Sequence, residues 1–168
     1  VGLSSLYKQM DSMGFQSGGE FLAAVEEADA IGATLLLGDR DARVTIRRLR
    51  DAVLEMVRNP PEPTGAQPPA ALLEAAGGPN AELTRESVST TLDVLKQREN
   101  VRALSEYLKT EVPPIYTALI GERDEYMAQS LLGSSGERIV AVVGLAHVDG
   151  IEAAILRANG GKIAAPKA

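Results

Sequence analysis

The 168-residue sequence contains no cysteine and only one histidine, His147. The absence of cysteine excludes disulfide bonds, thiolate nucleophiles and cysteine-based zinc sites. With a single histidine, the chain alone cannot build a multi-histidine metal site, and a Ser-His-Asp triad would have to use His147 as its base. Any imidazole chemistry in this chain is therefore confined to one position.

Positive charge and long apolar runs are also scarce. The chain has 17 Lys and Arg against 23 Asp and Glu, for a formal net charge of −6. This balance argues against nucleic-acid binding, which depends on a clustered basic face. The local cluster of arginines at 43–50 forms either a solvated helix face or an anion site. The longest apolar runs, 34–38 and 139–144, are far shorter than the roughly 20 residues that cross a bilayer, so no transmembrane segment is expected.

Apolar residues make up 45% of the chain, which is enough for one sizeable core. We therefore predict a single domain over residues 1–168. The segment 59–70 contains five of the nine prolines and is predicted to be an extended, exposed connector within that domain.

The spacing of apolar residues predicts helices separated by short strands. Helical spacing covers residues 3–13, about 20–31, 43–58, 84–108, 114–132 and 151–158. Two continuously apolar runs, 33–37 and 138–143, are typical of strands buried on both faces of a parallel sheet. The predicted fold class is α/β: a small, mostly parallel sheet with many flanking helices.

Two loops with unusual composition follow the two predicted strands. Gly38, Asp39 and Arg40 follow the first run, and Gly144 to Gly150, with His147, follow the second. Open α/β sheets bind ligands at the carboxyl ends of their strands, so we expect both loops on one rim. The glycines let the backbone approach a ligand closely, and the side chains supply an acceptor, a cation and a titratable base or metal ligand.

Each of these residues also has a purely structural interpretation. His147 can order its own loop by hydrogen bonds, and Asp39 can cap a helix or form a turn. The triplet Glu122-Arg123-Asp124 can be a charged helix face that pairs with its neighbours. Composition and spacing leave these alternatives open.

Three stretches closely resemble successive blocks of the TraB (TraB, PrgY, GumN) family. They are SGGEFLAAVEEADAIGATLLLGDRDARVTIRRL, GERDEYMAQSLL and RIVAVVGLAHVDGI, which together extend from about Gly18 to Ile151. This family is related to the Tiki proteases, and the resemblance implies an αβ core like that of erythromycin esterase and ChaN-like proteins. Tiki-type members have a metal-dependent peptidase activity associated with two Gly-x-x-His motifs and acidic residues.

The resemblance also implies roles for individual residues. Gly144-Leu145-Ala146-His147 matches the second Gly-x-x-His motif, so His147 would bind a divalent metal such as Zn or Mn. Glu122 would be a metal ligand or general base, and Arg123 or Arg40 would stabilise an oxyanion. Gly38, Asp39 and Gly144 would line the substrate site.

The sequence departs from the family pattern in its first part. The first Gly-x-x-His motif and the strands around it are not found before Gly18, so we expect an N-terminally incomplete chain with an under-ligated metal site.

Two classes of function follow from this departure. The favoured class is a regulatory or scaffolding module that binds a protein partner, a peptide or another subunit. Eukaryotic relatives are linked to the mitochondrial outer membrane and organelle contacts. The alternative is a metal-dependent hydrolase that uses His147 and Glu122.

Overall fold

The computed structural model of the protein describes residues 19–62, 64–75 and 85–161, without the side chains of 85–88. About 70% of the described residues are helical. In chain order the helices are α1 (Gly19–Ala30), α2 (Ala42–Arg58), α3 (Ala70–Ala75), α4 (Arg85–Leu95), α5 (Arg98–Glu111), α6 (Pro113–Tyr116), a π-helical turn (Thr117–Gly121), α7 (Glu122–Leu132) and α8 (Leu145–Ala158). The helix predicted over residues 3–13 lies outside the described residues.

The predicted α/β fold with a parallel sheet is wrong for the part of the chain that the structure describes. Residues 33–38 and 139–144 have no regular secondary structure, and no strand is formed over the ranges given above. Within those ranges, no backbone hydrogen bond joins the two runs to each other. A strand exists only through a ladder of such bonds, and the apolar pattern alone does not supply the partner.

The helix α2 begins where its sequence predicts. The side chain of Asp41 accepts a hydrogen bond from the backbone N–H of Arg43 and so caps the first turn. This cap fixes the direction in which the chain leaves the loop 38–41. The loop is thereby held beside the first turns of α2.

The predicted helix over 114–132 is confirmed, with an irregularity at its centre. Pro113 and Pro114 occupy its first turn, where a missing N–H costs no hydrogen bond. The π-helical turn then adds one residue to the helical repeat immediately before Glu122. Because each helical residue advances by about 100°, this turn sets which side chains of α7 face inward.

The core of the described part lies between α7 and α8. Its buried members are Met127, Ala128, Ile151 and Ala154. At this crossing Gly150 of α8 lies against the carboxylate of Asp124 in α7. A Cβ atom built on Gly150 would lie 1.9 Å from Asp124 Oδ2, so only glycine fits here without a shift.

A large part of the apolar surface elsewhere is exposed. Helix α1 buries none of its residues, and Leu22 is 61% exposed. Leu37, in the run 33–38, is 84% exposed, and Val140, in the run 139–144, is 90% exposed. None of the described helices combines the length and apolar character that a membrane-crossing helix requires.

The α7–α8 crossing makes a prediction for Gly150→Ala. Alanine normally favours a helix interior over glycine by about 1 kcal/mol, but here its Cβ collides with the buried Asp124 carboxylate. We expect a net loss of about 1–3 kcal/mol in the free energy of unfolding, measured by urea denaturation. Gly19→Ala is the control, because no atom lies within 4 Å of its built Cβ. Equal stability of the two variants would contradict the close crossing.

Candidate functional site

Two charged pairs of neighbouring residues, Asp39-Arg40 and Glu122-Arg123, bind each other crosswise. Arg123 Nη2 donates to Asp39 Oδ2 at 2.7 Å, and Arg40 Nη1 donates to Glu122 Oε2 at 2.7 Å. These residues are more than 80 positions apart in sequence. The crossed ion pairs therefore join the loop after α1 to the start of α7.

The guanidinium of Arg40 is the most enclosed cation of this group, with a side chain only 10% exposed. Besides Glu122, it donates to Thr45 Oγ1 at 3.0 Å and to the carbonyl oxygen of Ala118 at 2.7 Å. Ala118 belongs to the π-helical turn, and Thr45 to the first turn of α2. One side chain thus connects three elements.

The carboxylate of Glu122 lies between two arginines. Arg48 Nε donates to Glu122 Oε1 at 2.9 Å, while Arg40 holds Oε2. The hydrogen bonds of Arg48 lower the pKa of Glu122 to about 2, against the opposing effect of burial and with help from Arg40. Glu122 is therefore a stable anion at neutral pH.

Asp39 has a weaker but similar environment. Its partial burial works to raise its pKa, but the hydrogen bond and charge of Arg123 outweigh this effect. The amide of Arg40, which donates to Asp39 Oδ1 at 2.7 Å, and the charge of His147 act in the same direction. The net result is a lowered pKa for Asp39.

A second carboxylate, Asp124, is paired with the lone histidine. His147 Nδ1 and Asp124 Oδ1 are 2.7 Å apart, and the residues are 7% and 4% exposed. His147 lies in the first turn of α8, where its backbone N–H donates to the Gly144 carbonyl. Helix α8 therefore begins six residues before the predicted Ile151, so His147 is in a helix and not in a loop.

The structure brings most of the predicted site residues into one region. Asp39, Arg40, Glu122 and Arg123 contact one another, and Gly144 adjoins His147, with its built Cβ 3.6 Å from the imidazole Cδ2. Gly38 lies against α7, where its built Cβ would be 3.8 Å from Ser130 Cβ. Among the described residues, neither a hydrogen bond nor an ion pair joins Glu122 to His147.

Sequence reasoning did not assign roles to three of the residues in contact here. Asp124 was grouped with its triplet without a partner, Thr45 was placed only on a helix, and Arg48 was included only in the arginine cluster with its two interpretations, a solvated helix face or an anion site. Thr45 and Arg48 are three residues apart in α2, which puts them on one helix face. That spacing, next to the Asp41 cap, was the available signal.

The described donors do not make up a metal site. Over residues 19–62, 64–75 and 85–161, no group of three or more His, Cys, Asp or Glu side chains is arranged to hold a metal ion. His147 Nδ1 is engaged by Asp124, and both oxygens of Glu122 are engaged by arginines. A complete Zn or Mn site would need ligands from elsewhere.

Comparison with known proteins assigns this chain to a family. The TraB/PrgY/gumN family model matches residues 69–165, more than half of the chain. That segment contains the Glu122-Arg123-Asp124 triplet and His147, so it holds the whole Asp124–His147 pair and one partner of each ion pair made by Glu122 and Arg123. The chain belongs to the TraB/PrgY/gumN family, as its motifs predict.

One relative adds to this assignment. An uncharacterized protein of Methanocaldococcus jannaschii is 32% identical over 143 residues, which make up 84% of this chain and 32% of that protein. The chain therefore spans about a third of that relative's length. No solved structure gives a significant match.

The position of Glu122 between two arginines predicts a pH-dependent contribution to stability. Its folded pKa of about 2 is below the ordinary 4.5, so its contribution is present above pH 4.5 and is lost as the pH falls toward 2. With allowance for solvent screening, we expect Glu122→Gln to lose about 1–2 kcal/mol near pH 7. This difference from the wild type should shrink steadily below pH 4.5 in urea titrations.

Glu125→Gln is the matched control for this experiment. Glu125 lies in the same first turn of α7 but pairs with Arg157 on the surface, where both side chains are more than half exposed. We expect a change within about 0.5 kcal/mol at neutral pH. If Glu122→Gln and Glu125→Gln behave alike, the two-arginine clamp does not stabilise the fold.

Proposed function

We propose that this TraB-family chain is a regulatory or scaffolding module, not a self-sufficient hydrolase. The observation that carries this proposal is that the side chains of the site are paired with one another. Glu122 is held by Arg40 and Arg48, Asp39 by Arg123, and Asp124 by His147. These pairs join helices and loops, and they leave neither oxygen of Glu122 free to bind a metal or activate a water molecule.

The acidity of Glu122 supports the same conclusion. A general base works best with a pKa near the operating pH, whereas the pKa of Glu122 is about 2. Its oxygens are also occupied by two guanidinium groups, which compete with a metal or a water molecule for the same lone pairs. Arg40 likewise donates hydrogen bonds to three acceptors within the protein, so few of its N–H groups remain to stabilise an oxyanion.

The alternative function is a metal-dependent hydrolase of the Tiki type that uses His147 and Glu122. One observation favours it: a carboxylate bound to His147 Nδ1 is the arrangement that orients a metal-ligating imidazole through its other nitrogen. Because the described donors do not complete a metal site, this function requires ligands supplied by other residues.

Metal content and peptidase activity distinguish the two proposals. We expect the purified protein to contain no stoichiometric Zn or Mn by mass spectrometry and to cleave no peptide in a mixed-sequence library. His147→Ala, Glu122→Ala and the surface control Glu125→Ala should then be indistinguishable in both assays. Bound metal and activity that are lost in a folded His147→Ala variant and kept in Glu125→Ala would establish the hydrolase and overturn our proposal. A loss in Glu122→Ala counts only if urea denaturation shows that this variant keeps the wild-type stability, because Glu122 also holds two arginines.

A scaffolding role requires a surface for a protein partner, and the exposed apolar residues provide one. Leu37 in the run 33–38 and Val140 in the run 139–144 are both largely exposed among the described residues. Exposed apolar residues in large groups mark protein interaction sites. We propose that these runs contact another subunit or a partner protein.

This surface can be tested through the association state. We expect the protein to self-associate with rising concentration in light-scattering chromatography, and Leu37→Lys or Val140→Lys to weaken this association by about tenfold or more. Val57→Lys is the control, because Val57 is also 75% exposed but lies at the end of α2. A monomer at all concentrations that binds no apolar dye would contradict the proposed surface.

The cellular location is proposed by resemblance only. Eukaryotic members of the family are linked to the mitochondrial outer membrane and to contacts between organelles, and we propose the same setting for this protein. Fractionation of cells that express the whole protein with an internal tag tests this. Recovery outside the mitochondrial fraction would contradict it.

A further inference from the structure

A cleft of about 270 Å³ lies between α5, α7 and α8, beside the Asp124–His147 pair. Part of its wall consists of residues with little or no side chain: Gly121, Ala146, Gly150 and Ala153. Such residues let a bound molecule approach the helix backbone closely. The volume is near the lower end for small-molecule sites and suits a compact ligand.

The nearly buried carboxylate of Asp124 has one oxygen that is not engaged by another described residue. Asp124 lines the cleft and is only 4% exposed. Its Oδ1 is engaged by His147, whereas Oδ2 lies against Gly150 and accepts no hydrogen bond from any residue that the structure describes. This oxygen is not sealed from solvent, since no described buried side-chain oxygen lacks a partner, and it can therefore accept a hydrogen bond from the ammonium group of a ligand in the cleft.

Cationic groups also line the cleft. Arg98 and Arg102, one turn apart on α5, both donate to the single carboxylate of Asp149. Each guanidinium has five N–H groups, so the two retain donors beyond those given to Asp149. Their side chains are 40% and 54% exposed and can therefore reach a ligand carboxylate.

The charges that line the cleft are balanced in number. Four are cationic and four are anionic: Arg98, Arg102, Lys109, Arg157, Glu106, Asp124, Glu125 and Asp149. A ligand of one charge sign would meet as many repulsive as attractive groups. A ligand with both signs can place each charge on its complement.

We propose that this cleft binds a small zwitterion, with its ammonium group on Asp124 Oδ2 and its carboxylate on Arg98 and Arg102. An amino acid is the simplest molecule of this class. The site does not depend on whether the family motifs act in catalysis or in scaffolding, so it can fail or hold independently of the proposed function.

The test uses a series of ω-amino acids from glycine to 5-aminopentanoate, which differ in the separation of their two charges. Binding is measured by calorimetry and by the ring resonances of His147, the single histidine. We expect at least one member to bind and to shift the His147 signals, because Asp124 contacts both the ligand and the imidazole. Pentanoate and pentylamine each lack one of the two charges. We expect each of them to bind at least about tenfold more weakly than the best amino acid of the series.

Variants locate the ligand in the cleft. Ala153→Leu fills the wall without touching Asp124–His147 and should weaken binding about tenfold or more, as should Arg102→Gln, which removes a carboxylate partner. Ala158→Leu is the control, because Ala158 is exposed on the same helix but does not line the cleft. Circular dichroism verifies that each variant is folded. If Ala153→Leu unfolds, the surface substitution Arg102→Gln alone tests whether the ligand binds in the cleft.

The proposal is overturned by any of three results. These are the absence of binding throughout the series, equal binding of the single-charge analogues, or binding by a folded Arg102→Gln variant that matches the wild type.

Discussion

The described structure depends on the burial of one cation, Arg40. A guanidinium that is 10% exposed must find acceptors within the protein, and Arg40 finds them in Thr45, Ala118 and Glu122. These acceptors come from the start of α2, the π-helical turn and the start of α7. Their simultaneous engagement requires the loop 38–41 to lie against the π-helical turn, and this position also lets Arg123 reach Asp39. Because removal of one partner would leave a buried charge uncompensated, the arrangement resists partial disruption.

The π-helical turn connects this cation to the histidine. Without its additional residue, the side chains of α7 would be rotated by about 100° relative to α2, and the inward position of Asp124 would change. With it, Glu122 and Arg123 face the loop while Asp124 faces α8. The Ala118 and Leu119 carbonyls of the turn accept hydrogen bonds from Arg40 and Arg123. The two arginines that form the crossed ion pairs therefore also stabilise the irregular turn that aligns them.

The sequence predicted the local structure better than the non-local structure. Helical spacing located α2, α5 and α7, because it depends on neighbours within a few positions. The sheet prediction failed, since an apolar run does not reveal whether another segment pairs with it. Gly150 was misleading for a related reason: it was interpreted as a loop residue, but its role is the close approach of Asp124 within a helix. The loop at 38–40 contacts the triplet at 122–124, whereas the predicted sheet rim would have paired it with the segment 144–150.

The limited apolar core explains why these polar contacts matter. Its main cluster is a methionine, an isoleucine and two alanines between α7 and α8, and among the described residues no large side chain is completely enclosed. Helix α2 contributes only the small Ala52 to the buried apolar residues of the described part, so apolar burial holds α2 and the loop 38–41 weakly. Ion pairs between partly desolvated groups therefore add to their attachment to α7. A substitution at Arg40 or Glu122 that abolished activity would therefore be ambiguous, because it would also release this attachment, whereas His147 lies outside the crossed ion pairs and reports more directly on chemistry.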